Sequence, residues 1–537
     1  MNSPVRLAIR SFHSIREDLL ARREIALLDV REEASHALAH PLFAANLPLG
    51  RIELDAYTRI PRRTTPIVVF DDGDGLAELA RRRLQSLGYT DIALLEGGLD
   101  GWRAAGGELF QDVNAPSKAF GELVASRAHT PSLSAQEVKA LLDSGDDVVV
   151  LDARRFDEYQ NMSIPGSISV PGAELVLRAR ALAPRPDTQI IVNCAGRTRS
   201  IIGTQSLLNA GLPNRVHALR NGTIGWTLAG QTLEHGQARR FGAVDAGLRQ
   251  QAALDARQVA QRAGVKRISV AKLEALRAQP DRTTYLFDVR TPEEYVLGHL
   301  PGFLPAPGGQ LVQETEANAT VRGARIVLAD DDGVRANMTA SWLAQMAWEV
   351  YVLDGLCATA FSETGNWQPQ RFDPPQVDTV NATTLSAWLQ EGKTVLLDFT
   401  ASANYVNRHI PGAWFALRSQ LAAAVGRLPA AERYVVTCGT GLLARYAVDE
   451  LRLLTGKPVV LLEGGTAAWT AAGLPLESGA TALASPRIDR YRRPYEGTDN
   501  AVEAMQAYLD WEFGLVEQLR QDGSHGFFVL EPAIPQP

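Results

Sequence analysis

Residues 188–200 read TQIIVNCAGRTRS, and the fold turns on how this stretch is parsed. The run TQIIVNC has the length and β-branched content of a buried strand, AGRTRS is a short loop, and the Ile- and Leu-rich stretch after it is amphipathic. Cys194 therefore stands at a strand-to-helix turn. A helix N-terminus offers unpaired N–H groups and a partial positive charge, so a thiolate there is favoured over the thiol, the more so beside Arg197 and Arg199. Such surroundings lower a cysteine pKa from about 8.5 to roughly 3.5–7.5. The expectation is a nucleophile over an anion cradle; the alternative is a buried structural cysteine, since free Cys is among the most buried residue types.

Working outward, the same kind of unit recurs. A strand ending in Asp appears as ALLDVREE at Asp29, VVLDARRFDEY at Asp152, YLFDVRTPEEY at Asp288 and VLLDFTASANY at Asp398, spaced 123, 136 and 110 residues apart. Solenoid repeats are only about 20–50 residues long, so this period means repeated domains. A second landmark closes each unit: LLEGGLDGW, ALRNGTIGW, VLDGLCATAF and LLEGGTAAW, with Trp102, Trp226 and Trp469 in step and Ala360 and Phe361 in the third. Three units carry a turn between the landmarks, at Pro165, Pro301 and Pro411. Short apolar strands alternating with amphipathic helices imply a parallel sheet covered on both faces, with ligands bound outside the carboxyl ends of strands.

Composition sets the limits. At 537 residues the chain is too long for one core, and 45% hydrophobic with 21% charged residues describes a globular protein. A net charge of −7 gives no basic footprint, which excludes nucleic acid as a partner. The N-terminal stretch lacks the continuous apolar segment of a signal peptide and no run approaches membrane-spanning length, so a cytoplasmic protein without membrane attachment is expected. Cys194, Cys357 and Cys438 form no close pair, and His is scarce, so neither a disulfide framework nor a metal site is expected. Cys357, within LDGLCATAF, is expected in the core.

Taken together, the strand-Asp-x-Arg start, the HIPGA-type turn, the cysteine loop and the EGGxxxW ending resemble the rhodanese (sulfurtransferase) family in four tandem copies. The resemblance implies four doubly wound α/β parallel-sheet domains followed by a C-terminal helical tail. The expected bounds are 1–118, 125–240 with Cys194, a helical linker at 241–265, 266–370, 375–482 with Cys438, and an extension at 483–537. It also implies a loop cysteine that takes sulfane sulfur from a small anionic donor such as thiosulfate as a persulfide, and passes it to cyanide or a thiol without cofactor or metal. The catalytic candidates are Cys194 and Cys438. The N–H groups of Ala195, Gly196, Arg197, Thr198, Arg199 and Ser200 would bind the substrate, Arg197 and Arg199 attracting the dianion and Thr198 and Ser200 adding hydroxyl donors or capping the helix.

The copies differ at the cysteine position. In copies one and three it aligns with Asp71 and Asp330, and carboxylate cannot carry sulfur, so these copies are expected to be inactive. The loop CGTGLLA at Cys438 resembles the type found in family members preferring 3-mercaptopyruvate, and lacks a nearby Arg. Asp152 with Arg154 recurs in the copies without cysteine, as Asp29 with Arg31 and Asp288 with Arg290, which points to scaffold ion pairs. A related phosphatase would need five residues between Cys and Arg, whereas Cys194 and Arg199 have four between them; a non-catalytic sulfur-relay scaffold is the other competing reading. In the tail, Val502, Met505, Leu509, Phe513, Val516 and Leu519 recur at steps of three and four. They predict one long helix that docks on a neighbouring domain or a homodimer partner.

Overall fold

The computed structural model describes residues 8–497 and 499–531; the outer bounds drawn from the sequence, at residues 1 and 537, lie outside the described residues. Four five-stranded sheets follow one another, every pairing within them is parallel, and each has the order 1-5-4-2-3 in its own strands. The strands of the second copy are Ser132–Leu133, Val148–Asp152, Ile168–Ser169, Gln189–Asn193 and Val216–Leu219. Strands such as Ala26–Asp29, Arg325–Ala329 and Thr394–Asp398 are buried at every residue. Each buried Leu, Ile or Val side chain contributes about 1.5–3 kcal/mol, which holds helices on both faces of the sheet.

This strand order places the fourth strand at the centre. The chain leaves the fourth strand toward the fifth and leaves the second toward the third, in opposite directions, so a crevice opens between their carboxyl ends. In copy two Asp152 and Cys194 flank that crevice, and Asn193 Nδ2 bridges it by donating to Asp152 Oδ2 at 2.8 Å.

The Asp-x-Arg landmark is a buried strut. Arg154 donates to Asp152 at 2.9 and 2.8 Å and to the Met162 carbonyl at 2.6 Å. Arg31 with Asp29 and Arg290 with Asp288 do the same in the copies without cysteine. Trp102, Trp226 and Trp469 lie buried on the short helices Gly98–Ala104, Gly222–Leu228 and Gly465–Ala471. Copy three has only a 3-10 turn there, Ala358–Ala360. With no tryptophan-bearing helix folding back over it, Cys357 is exposed, not in the core as its apolar context suggested.

The copies do not pair as consecutive halves. Copy two meets copy three through equivalent loops, where a methyl group built at Gly309 would lie 3.1 Å from Gly172 N, and Arg335 donates across to Glu174 at 2.9 Å. Copy one meets copy four in the same way, through the turns Leu49–Arg51 and Arg418–Gln420, with Arg418 donating to Glu53 at 2.7 and 2.8 Å. One hydrophobic core runs from copy one into copy three and takes in Leu515, Leu519 and Phe527 of the tail. Within 241–265 the chain forms the helix Ala246–Arg262, which packs against helices of copies two and three. A further helix, Ala115–Ala128, was not anticipated; it crosses the bound drawn at 118 and is buried from Ala115 to Val124. Among the described residues no helix is long and apolar enough to cross a membrane.

The tail is one helix, Val502–Asp522, as its periodicity predicts, but its inward face is rotated. Met505, Tyr508, Leu509, Glu512, Leu515 and Leu519 are buried, whereas Val502 and Phe513 are exposed. It docks within the chain, along Ala115–Ala128 and over the Cys194 loop, so the buried stripe follows those surfaces, not the most apolar one.

Candidate active site

Strand Gln189–Asn193 delivers Cys194 to the carboxyl edge of its sheet, and helix Thr198–Asn209 starts within the same loop. Among the described residues no carbonyl or side-chain acceptor takes the N–H groups of Ala195, Gly196, Arg197, Thr198 or Arg199. Five donors at a helix N-terminus thus remain available to an anion. The Cys194 thiol donates to Ser200 Oγ at 3.3 Å, the Ser200 N–H faces the sulfur, and the Ser200 hydroxyl donates to the Arg197 carbonyl at 2.8 Å. Thr198 turns to the other side of the loop and packs on Gly121, where a methyl group would come within 2.9 Å of its Cγ2.

The expectation of a lowered thiol pKa is reversed. Cys194 is 2% exposed, and burial pushes its thiol above the ordinary value, against the lowering by Arg199 and by the Ser200 hydrogen bonds. The two arginines do not compensate, because each is held by a carboxylate that the sequence reading missed. Arg197 donates to both oxygens of Glu122 at 2.6 and 2.7 Å and to Asn221 at 3.0 Å. Arg199 donates to both oxygens of Glu158 at 2.7 and 2.8 Å. Burial raises Glu158, yet the charge and hydrogen bonds of Arg199 carry it down to about 2, so the pair is ionised. These are bidentate, largely buried ion pairs that shape the loop and leave little free positive charge.

The Glu158–Arg199 pair had a signature within the chain. Glu294 and Arg335 stand at the same offsets in copy three, while copies one and four have Ser35 with Leu76 and Asn404 with Leu443. Glutamate and arginine are present together or absent together, as expected of partners. The partners of Arg197 had no such signal, since Glu122 comes from the unanticipated helix.

In copies one and three the side chain at the cysteine position fills its own cradle. Asp71 accepts from the N–H groups of Gly73 at 3.1 Å and Ala77 at 2.9 Å; Asp330 accepts from Gly333 at 3.1 Å and Ala336 at 2.8 Å. Ala77 and Ala336 correspond to Ser200. A carboxyl group therefore occupies the position in which copy two leaves donors for an external anion.

Gly222 supports the loop from beneath. It follows Asn221 in the left-handed region with φ of +54°, and a methyl group there would lie 2.3 Å from the Cys194 carbonyl and 2.7 Å from that of Gly196. Thr223 and Ile224 then donate to the Cys194 and Ala195 carbonyls at 2.9 and 3.0 Å. Gly222→Ala is expected to lower stability by about 1–3 kcal/mol and to displace the loop, read as a reduced unfolding temperature.

The tail completes the site. Ala195 shares a hydrophobic cluster with Ile224, Tyr495, Met505, Tyr508 and Leu509, and Phe513 stacks 4.2 Å from the Arg197 guanidinium. Tyr495 lines two cavities of about 280 and 220 Å³; the larger is also lined by Arg154, Arg199 and Arg493 and the smaller by Thr223, Ile224 and Met505.

Cys438 occupies the same place in copy four, after strand Arg433–Thr437, but it packs among Val395, Leu397, Phe399 and Val436. His299 and His409, on the turns, stack on Tyr295 and Tyr405 and bond those residues' carbonyls through Nδ1, far from acid–base duty.

A model of the rhodanese-like domain matches residues 15–105, 134–229, 269–356 and 381–472, each spanning the core of one sheet. The crystal structure of a thiosulfate sulfurtransferase from Pseudomonas aeruginosa is 69% identical, with a TM-score of 0.97, and the match covers 98% of this chain and 100% of that one. Among curated proteins, the putative sulfur carrier protein YrkF of Bacillus subtilis is 28% identical over 97 residues, 18% of this chain and 51% of that protein. An uncharacterized 16.5 kDa protein of Synechococcus elongatus is 47% identical over 49 residues, 9% of this chain and 33% of that one. The chain thus spans about a third to a half of the length of these two curated relatives. Four matched segments, each with the same strand order, and a near-full-length relative mean that this chain belongs to the rhodanese-like domain family.

Proposed function

We propose that this chain is a thiosulfate sulfurtransferase in which Cys194 is the sulfur carrier. The observation that carries the reading is the row of N–H donors around Cys194, open to an anion in copy two and filled by aspartate in copies one and three. The near-full-length likeness to a thiosulfate sulfurtransferase supports the choice of donor.

The chemistry follows from that geometry. The Cys194 thiolate attacks the outer sulfur of thiosulfate; a new S–S bond forms, the donor's S–S bond breaks, and its electron pair leaves with sulfite. Ser200 and the N–H groups from Ala195 to Arg199 hold the negative charge as it moves from thiolate to sulfite and onto the persulfide. A nucleophilic acceptor, cyanide or a thiolate, then attacks the outer persulfide sulfur and the Cys194 thiolate departs. Arg197 and Arg199, held by Glu122 and Glu158, keep the loop in shape during both steps.

The test is mass analysis of the full chain before and after thiosulfate, followed by peptide mapping. Gain of one sulfur atom on the Cys194 peptide is expected, and its release by cyanide as thiocyanate. Gain on Cys438 alone would move the chemistry to copy four, and no gain would leave the relay-scaffold reading in its place.

A further inference from the structure

Glu512 belongs to the tail, outside every segment matched by the family model, yet it is fully buried against the Cys194 loop. Its Oε1 accepts from the Tyr508 hydroxyl at 2.9 Å. Its Oε2 has no partner among the described residues and is directed at the loop: a methyl group built at Gly196 would lie 3.3 Å from it. A buried polar atom without a partner is costly, about 1–3 kcal/mol, and native structures keep few of them.

The charges around Glu512 are cancelled at contact. Lys118 and Glu122 face it from helix Ala115–Ala128, Arg197 from the loop, and Tyr508 from its own helix; Cys194 and Tyr495 stand close by. Lys118 is bonded to Asp112 at 2.6 Å and Arg197 to Glu122 at 2.6 Å, so among the described residues no unpaired cation faces the carboxyl group. A carboxyl group in such a place keeps its proton, and a neutral carboxylic acid donates a hydrogen bond where a carboxylate would repel.

We infer that Glu512, in its protonated form, is a binding residue for the reaction at Cys194: its Oε2–H donates to the anionic donor, and then to the persulfide, held in the cradle beside Gly196. The tail thereby supplies a donor that the four repeated domains lack. Burial pushes Glu512 up to about 8, against the lowering by Lys118, so the acid form prevails at neutral pH. As pH rises through that value the proton leaves, and the resulting carboxylate faces the incoming dianion. This inference rests on Cys194 being the sulfur carrier.

The test is the rate of sulfur uptake by the full-length chain from thiosulfate, quenched and read by mass from about pH 6 to about pH 10. Thiosulfate keeps its charge throughout, and the reactive form has Cys194 ionised and Glu512 protonated; because burial raises the thiol, uptake is expected to climb with Cys194 ionisation up to about pH 8 and to level off above it as Glu512 loses its proton. Glu512→Gln keeps a donor that cannot ionise; it should load within about threefold of the wild type at neutral pH and keep climbing past about pH 8 as Cys194 ionises. Glu512→Ala should load about tenfold more slowly, mainly through a weaker apparent affinity for thiosulfate. Tyr508→Phe removes a hydrogen bond that favours the carboxylate and should move the levelling-off to higher pH, a readout that remains if the Gln variant folds poorly. A levelling-off near pH 8 that persists in Glu512→Gln, or is unmoved in Tyr508→Phe, overturns the inference while the sulfur-carrier reading stands. A wild-type chain that takes up no sulfur at Cys194 overturns both.

Discussion

Replacement of Cys194 by serine is expected to lower thiocyanate formation from thiosulfate and cyanide by on the order of 10³-fold or more, equivalent to about 4 kcal/mol of transition-state stabilisation. Serine keeps the shape of the loop and the hydrogen bond toward Ser200, so folding should be unchanged within about 0.5 kcal/mol. What disappears is a polarisable nucleophile able to hold a second sulfur, and no other group near the crevice can replace it. Cys438→Ser is the internal comparison. Its side chain packs among apolar residues in a loop without arginine, and the variant should retain activity within about twofold. If Cys194→Ser kept more than a tenth of the wild-type rate with thiosulfate, sulfur would have to travel by another residue.

The largest stability loss is expected from Arg335→Met. The Arg335 side chain is 2% exposed and is ringed by Glu174 at 2.9 Å, Glu294 at 2.5 Å, Asp331 at 2.9 Å and Asp332 at 2.6 Å. Breaking a buried pair by removing one member costs about 3–5 kcal/mol, because the remaining charge is left uncompensated. Here four carboxylates would lose that partner, Glu174 keeping Arg178 and Asp331 keeping Arg290, and Glu174 lies across the contact between copies two and three. Burial by itself would raise Glu294, yet the hydrogen bond and charge of Arg335 carry it down to about 2. Since that value is depressed from the ordinary 4.5, the pair stabilises the wild type above about pH 4.5 and the contribution is lost as pH falls toward 2. The variant should unfold several degrees earlier at neutral pH and should lack that part of the acid-induced loss. An unfolding temperature unchanged at pH 7 would mean that the cluster contributes nothing to holding the copies together.

Much of the architecture was legible because it is local and repeated. The strand-Asp-x-Arg start appears three times with buried partners two residues apart, and a pair so close in sequence needs no tertiary information to be found. The same holds for the tryptophan landmarks. Where copy three departs from the pattern, at Ala360 and Phe361, the sequence marked the substitution but not the loss of the helix; the exposure of Cys357 followed from that loss, whereas the apolar letters around it pointed inward.

The site was legible only in part. The position of Cys194 and the cradle of N–H groups follow from a strand running into a helix, a matter of a dozen consecutive residues. The protonation of that cysteine does not. A lowered pKa was expected from two arginines in the loop, but Glu122, 75 residues from Arg197, and Glu158, 41 residues from Arg199, neutralise them in space. Burial by the tail, more than 300 residues away in the chain, then raises the thiol.

The sequence by itself determined that this protein is four parallel α/β units with a cysteine at one helix N-terminus, because hydrophobic period, turn residues and internal repetition are properties of neighbouring residues. Only the tertiary structure decided which copies embrace, which charges cancel, and that the face of the last helix holding Tyr508 and Glu512 closes over Cys194. Those outcomes depend on desolvation and on charges brought together from distant segments, and both energies are set by the environment of the folded chain.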